Sequence, residues 1–228
     1  MPQESKVVSI EDTRELRIEH ENWIPGVARL GFSGTKVGEV SMFDLLKEAF
    51  RQNPNYLIVG EVRGEEAAVM FQAMASGITS MSTMHAGSVE DALKRLQTRP
   101  ISLPPTLMET LDVMVIMARA VEKGASARRV RHIIEIESVD PATNQVKYTE
   151  AFAWDPAKDV YHKKKESIVF RKIAQEKGLT VAGIEKDILQ RRQFLKWLAS
   201  QDLDWKQVAE YLVLYKRNRT KALEAMKG

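Results

Sequence analysis

The sequence predicts an α/β protein: a mostly parallel sheet wound with helices, then a β-hairpin, then a small helical C-terminal subdomain. Three observations predict it. The run Tyr56-Leu57-Ile58-Val59, bounded by Pro54-Asn55 and Gly60, is too short for a helix and lacks alternation, as in a strand covered on both faces. Short runs of this kind alternate with amphipathic helical stretches from Val7 to Ala118. From Ser167 onward the apolar residues fall at helical spacing.

In chain order, Val7-Val8-Ser9-Ile10 is a strand ending in two acids, Glu11-Asp12. Thr13 to Pro25 is polar, carries Arg14, Arg17, His20 and Trp23, and reads as an extended loop able to reach over a site or a neighbouring subunit. Ala28 to Phe32 reads as a strand, with Gly31, Gly34 and Gly38 marking a turn region. Ser41 caps a helix from Met42 to Gln52 with Met42, Leu45, Leu46, Ala49 and Phe50 on one face, and Pro54 stops it. After the central strand a helix runs from Glu65 to Ser76, with Val69, Met70, Ala73 and Met74 inward and Gly77 at its end. Thr79 to Met84 is a third strand, ending at His85. Ser88 caps a helix burying Ala92, Leu93 and Leu96 that ends at Arg99-Pro100, and Pro104-Pro105 opens a short helix through Leu111. Val113 to Ala118 is expected as a fourth strand of the same sheet.

Beyond Lys123-Gly124-Ala125, the segments Val130 to Ile136 and Val146 to Phe152 predict a hairpin around Asp140-Pro141-Ala142-Thr143-Asn144. Val181, Ile184, Ile188, Leu195 and Leu198 share one helical face, as do Trp205, Val208, Leu212 and Tyr215 after the N-cap Asp204. Trp205 is expected to pack inward. The methionines at positions 70, 74, 81, 84, 108, 114 and 117 read as core filling. Lys163-Lys164-Lys165 and the C-terminal lysines read as solvated, and His132 and His162 have no metal-ligand partners at useful spacing.

Bulk properties exclude several classes. At 228 residues the chain can hold one large or two small domains, and 44% hydrophobic with 29% charged residues is ordinary for a globular protein. The 34 basic and 31 acidic residues leave a net charge of +3, too small an excess to indicate a nucleic-acid binder. With no cysteine there is no disulfide framework, thiolate metal site or cysteine nucleophile. The N-terminal residues lack an apolar signal region, and the longest apolar run, Val113 to Ala118, falls far short of the roughly 18 residues that span a bilayer. A cytoplasmic protein is expected.

Three strands of one sheet are thus expected to end in Glu11, Glu61 and His85. Ligands of open α/β sheets bind beyond the carboxyl ends of the strands, so fold logic brings the three together there. Hydrolysis of a phosphoanhydride needs a metal at the phosphate oxygens, a carboxylate to polarise water and a donor near the γ-phosphate, jobs these residue types can fill. Taken singly, each acid also reads as a loop acid, and a lone histidine after a strand is more often structural.

The segment Lys6-Val7-Val8-Ser9-Ile10-Glu11-Asp12-Thr13-Arg14-Glu15-Leu16 resembles the aspartate box of the type II/IV secretion ATPase superfamily. Phe50 to Ala68, with Arg51-Gln52-Asn53-Pro54 and Gly60-Glu61-Val62-Arg63, resembles its Walker-B box, and Ser80 to Ser88 its histidine box. The likeness is to the archaeal branch, motors of archaella and pilus-like systems, through His20-Glu21-Asn22-Trp23, Phe71-Gln72-Ala73-Met74 and Arg95-Leu96. The resemblance implies a RecA-like core over residues 1–120, a β-hairpin extension over 121–165 and a helical subdomain over 166–228. It implies that Glu11 is the catalytic glutamate, that Glu61 is the Walker-B acid associated with Mg²⁺ through water, and that His85 is linked to the γ-phosphate of ATP. Asp12 and Arg63 would lie near the nucleotide and Mg²⁺, and Arg14 and Arg29 are candidates to reach a neighbouring subunit's nucleotide.

The partners so implied are a homo-hexamer and a polytopic membrane platform protein, at the inner face of the cell membrane, with nucleic acid not expected. The function implied is a motor for assembly or rotation of a pilus-like filament, or for type II secretion. A conjugation, type IV secretion or pilus-retraction ATPase is the alternative within the family, and a basic nucleic-acid-binding module the alternative outside it. One departure stands out. The phosphate-cradling loop Gly-x-x-x-x-Gly-Lys-[Ser/Thr] is absent, since Gly31 to Lys36 reads GFSGTK. The resemblance therefore implies a chain that starts after the Walker-A loop and is inactive alone.

Overall fold

The first strand, β1 (Val7–Glu11), is buried at all five positions, as expected of a strand covered on both faces. Next come β2 (Trp23–Val27) and helix α1 (Met42–Arg51), whose N-cap Ser41 forms a reciprocal capping box with Asp44. Then follow β3 (Tyr56–Glu61), α2 (Glu66–Ala75), β4 (Thr79–Thr83), α3 (Val89–Gln97) and the single turn α4 (Pro105–Met108). The first sheet has the order β2-β1-β3-β4. Strand β3 pairs parallel with β1 and with β4, so the carboxyl ends of the three lie along one edge. The computed structural model describes residues 1–31, 37–122 and 125–226.

The expected loop to Pro25 and strand from Ala28 to Phe32 are corrected. The strand comes earlier, at β2, and beyond it Arg29 makes only an isolated bridge to Val40. As an edge strand β2 tolerates Pro25, which has no amide to donate. Phe32 and Gly34, and with them most of the stretch from Gly31 to Lys36, lie outside the described residues.

The expected fourth strand is also corrected. Val113 opens β5 (Val113–Glu122), which is ten residues long and belongs to a second sheet with β6 (Ala125–Val139), β7 (Val146–Asp155) and β8 (Val160–Lys163). All three pairings there are antiparallel. The reason is chain length: only positions 123 and 124 separate β5 from β6, enough for a hairpin and too few for a parallel crossover. The expected hairpin at Asp140 to Asn144 is present as one turn of this meander, with Asp140 Oδ1 accepting from the Ala142 amide at 2.8 Å.

The main core joins both sheets to their helices: Val8, Ile10, Leu57 and Val59 with Leu46, Met70, Phe71, Leu93, Leu96, Ile134 and Ile136. Phe50, Met81 and Met117, expected inside, are exposed. Met81 and Met117 lie on β4 and β5, the terminal strands in the order of their sheets.

The chain divides into two compact units. The unit just described comprises Lys6–Leu16 and Ile24–Val169. The other comprises Met1–Ser5, Arg17–Trp23 and Phe170–Gly228, and its regular elements follow on as α5 (Ile168–Lys177), α6 (Val181–Ser200), α7 (Trp205–Arg217) and α8 (Arg219–Glu224). Its small core is Phe194, Leu198 and Ala222 with Trp197, Tyr211 and Tyr215 around them. Ile184 and Leu198 are buried as the spacing predicts, whereas Ile188, Leu195 and Leu212 are exposed and Trp205 is 55% exposed. Trp205 fails to pack inward because it opens α7 just after its cap, while the inward face is carried by Val208, Tyr211, Leu214 and Tyr215.

Candidate functional site

The site is assembled at the carboxyl ends of β1, β3 and β4. Glu11 ends β1 and is 2% exposed. Its Oε1 accepts from the amides of Glu15 at 3.0 Å and Leu16 at 2.9 Å, where the chain curls back over the strand end. Its Oε2 is buried with no hydrogen-bond partner. Burying a carboxylate oxygen without a donor is costly, so this atom stands ready for a ligand that brings one.

Glu61 ends β3, past a register shift that sets it opposite Thr83 of β4. The Arg63 guanidinium donates to its Oε2 at 2.5 Å. His85 Nε2 lies 3.3 Å from Oε1, an ion-pair distance without hydrogen-bond alignment, so Oε1 remains open. The Arg63 hydrogen bond, with the charges of Arg63 and His85, holds the Glu61 carboxyl below its ordinary pKa against the opposing cost of burial. The same bond and the Glu61 charge, assisted by Asp12 and Glu66, push the Arg63 pKa up. Asp12 and Arg63 thus belong to one electrostatic group with Glu61.

Glu11 and Glu61 therefore close the adjacent strands β1 and β3, and His85, in the loop just past the end of β4 at Thr83, lies in direct ion-pair range of Glu61. Arg14 is exposed three residues beyond Glu11. Arg29 is exposed, and its Nε donates to the Gly38 carbonyl at 2.8 Å.

Three supporting residues escape a reading by motif alone. Gly60 lies beside Glu11, and a Cβ there would stand 3.2 Å from Glu11 Cγ. Thr83 Oγ1 donates to the Gly60 carbonyl at 2.7 Å, fixing the end of β3 to β4. Glu66 Oε1 accepts from the amides of Arg63 at 2.6 Å and Gly64 at 2.8 Å and so shapes the turn that aims Arg63 at Glu61. The signal for Glu66 is an acid in the first turn of α2, a position that favours negative charge.

Glu11 and Glu61 each keep one buried carboxylate oxygen without a hydrogen-bond partner, and Glu61 also meets the Arg63 guanidinium and the His85 imidazole. An α/β fold with such an edge is the frame of a ligand-binding sheet whose site lies beyond its strand ends. Residues 1–184 match the model of the family described as Type II/IV secretion system protein, and the chain belongs to that family. It is 39% identical over 216 residues to the uncharacterised protein MJ1287 of Methanocaldococcus jannaschii, covering 95% of this chain and 80% of that one. MJ0900 of the same organism is 37% identical over 91% of this chain and 38% of its own length. The type IV secretion system protein PtlH of Bordetella pertussis is 34% identical over 57% of this chain and 42% of its own. Among solved structures, the VirB11 ATPase from the Brucella suis type IV secretion system, in complex with sulphate, is 27% identical with a TM-score of 0.46, over 58% of this chain and 42% of that one. The chain thus spans most of MJ1287 and less than half of MJ0900, PtlH and VirB11.

Proposed function

We propose that the protein this chain forms is an ATP-hydrolysing motor of a secretion or pilus-like system, acting as a homo-hexamer against a polytopic membrane protein at the inner face of the cell membrane. The observation that carries the reading is the pair of open carboxylate oxygens on neighbouring parallel strand ends, Glu11 Oε2 and Glu61 Oε1. In this reading Glu11 is the general base. Two backbone amides immobilise one oxygen and leave the other to take a proton from water.

Glu61, kept ionised by Arg63, is the acid that would hold Mg²⁺, directly or through water, and His85 the donor facing the terminal phosphate. The open Glu61 oxygen fits that assignment, and Mg²⁺ when bound supplies neutralisation of the phosphate oxygens. Arg14 and Arg29 are proposed to reach a neighbouring subunit's nucleotide.

The reading proposed within the family is a motor driving assembly or rotation of a pilus-like filament or type II secretion, with a conjugation, type IV secretion or pilus-retraction motor as the alternative. Two uncharacterised Methanocaldococcus relatives align over 95% and 91% of this chain and a third, MJ0781, over 32%, whereas PtlH aligns over 57% and the conjugal transfer protein TrbB of Rhizobium radiobacter over 59%. The 228 residues contain no Gly-Lys phosphate loop, so the proposal assigns that loop to residues outside this chain.

The test is Mg²⁺-ATP calorimetry and turnover on the 228 residues and on a version extended by the coding sequence upstream. The extended protein should bind and hydrolyse ATP, and Glu11→Gln should abolish turnover while binding stays within about tenfold. The 228 residues alone should bind in the millimolar range or weaker, because each lost hydrogen bond to a charged phosphate removes about 1.5 to 3 kcal/mol. Turnover by Glu11→Gln within about tenfold of wild type would reject the assignment of the base.

A further inference from the structure

The hairpin β5–β6 carries a feature that the strand-end site does not use. Its two strands pair from Val113 opposite Glu135 to Glu122 opposite Ala125, with a bulge at Arg131 where the register shifts between Ile116 and Met117, but β7 joins β6 only from His132 on. Beyond that point the hairpin is a two-stranded ribbon. On one face of it Arg119 stands directly opposite Arg128, and both side chains are exposed. Like charges directly opposite on a sheet repel, and neither arginine has a carboxylate partner among the described residues. The next arginine shows that the chain can neutralise a guanidinium here. Arg129, on the other face, is gripped by both oxygens of Asp159 at 2.9 Å, and Asp159 is steadied by the Trp154 indole at 2.7 Å.

The neighbours of Arg119 on its own face of β5 are Met117, 56% exposed, and Val121, 78% exposed. β5 is the outermost strand of its sheet, and it has neither the proline nor the lysine that blunts exposed edges. An exposed apolar–cationic–apolar alternation beside an open strand edge is complementary to one kind of ligand: an extended segment whose side chains alternate apolar–acidic–apolar on the same face.

We infer that the outer half of β5, Met117 to Val121, with Arg128 beside it, is a docking edge for an acidic β-strand of a partner protein. The incoming strand extends the backbone ladder, sets its acids against Arg119 and Arg128, and covers Met117 and Val121. A phospholipid surface or a nucleic-acid duplex can offer anions but no ladder and no alternating apolar contacts.

The probe is a fluorescent eight-residue peptide whose odd positions alternate valine and glutamate with threonine at the even positions, so that one face reads apolar–acidic–apolar–acidic, titrated against the whole chain by anisotropy beside the same peptide with lysine in place of glutamate. Wild type should bind the glutamate peptide at least tenfold more tightly than the lysine peptide. Arg119→Glu should weaken that binding at least tenfold while raising the melting temperature, because it converts a repelling cross-strand pair into an attracting one. That coupled gain in stability separates lost docking from lost folding. The double reversal Arg119→Glu with Arg128→Glu should invert the preference toward the lysine peptide. Absence of glutamate-peptide binding at millimolar concentration, or binding unchanged by Arg119→Glu, overturns the inference. So does equal competition by heparin or by vesicles of anionic lipid, which would reveal an unspecific polyanion surface. The result does not depend on ATP hydrolysis.

Discussion

Gly60 and Glu11 lie side by side across β3 and β1, so close that a β-carbon on residue 60 would stand 3.2 Å from Glu11 Cγ. Glu11 cannot easily yield, since its carboxylate is pinned by two backbone amides and almost fully buried. Gly60→Ala is therefore expected to destabilise by about 1 to 3 kcal/mol through overpacking, read as a lower urea midpoint at unchanged slope. An unchanged midpoint would show that Glu11 has room to move.

Arg63 holds Glu61 in its charged form, so Arg63→Ala should raise the Glu61 pKa toward its ordinary value. Carbon-detected NMR titration of the Glu61 carboxyl measures this directly. Because the pKa in the folded protein is depressed, the stabilisation from Glu61 is present above its unfolded pKa and is lost as pH falls through the folded one. The variant should lose that part of the acid dependence. A Glu61 titration that Arg63→Ala leaves in place would mean that His85 sets it.

Glu135 on β6 is buried and accepts from the Ser167 hydroxyl at 2.6 Å, the Ile168 amide at 2.6 Å and the Val169 amide at 3.3 Å. The Ile168 and Val169 amides lie in the same unit as Glu135, at the first residues of α5. Glu135→Ala leaves buried donors without a partner and should cost at least about 2 kcal/mol. Hydrogen exchange at Ile168 and Val169 should quicken ahead of the rest of the chain, and uniform exchange would refute the local role.

Asp159 has its pKa pushed down from 3.8 to about 2, first by the Arg129 hydrogen bond and then by Trp154. Its stabilising contribution is full above the unfolded value of 3.8 and disappears as pH falls through about 2. Melting temperatures from pH 5 to 2 should fall more for wild type than for Asp159→Asn. Parallel curves would mean that the Arg129 brace does not form.

Phe194 is 1% exposed, and its ring lies 4.5 Å from that of Tyr215, whereas Trp205 is 55% exposed. Phe194→Ala should cost about 3 to 5 kcal/mol and Trp205→Ala less than about 1 kcal/mol. Denaturant midpoints for the pair decide it, and a reversed order would place Trp205 in the core.

The sequence by itself determined the elements that local chemistry dictates. The apolar runs of β1 and β3, the caps Ser41, Ser88 and Asp204, and the acids that close β1 and β3 are all legible, because a strand's own composition and a helix's own cap residue decide them. The parallel order that gathers Glu11, Glu61 and His85 on one edge also follows from the alternation of strand and helix. Only the tertiary structure decided which sheet β5 joins, because a ten-residue strand of alternating exposure fits either an edge or a hairpin until its partner β6 is seen. It likewise decided that Trp205 and Leu195 face water while Phe194 takes the core, since helical spacing fixes which residues share a face and not which face meets a neighbour. The Gly60 contact with Glu11 and the unneutralised Arg119–Arg128 pair arise from distances between strands that no spacing along the chain encodes.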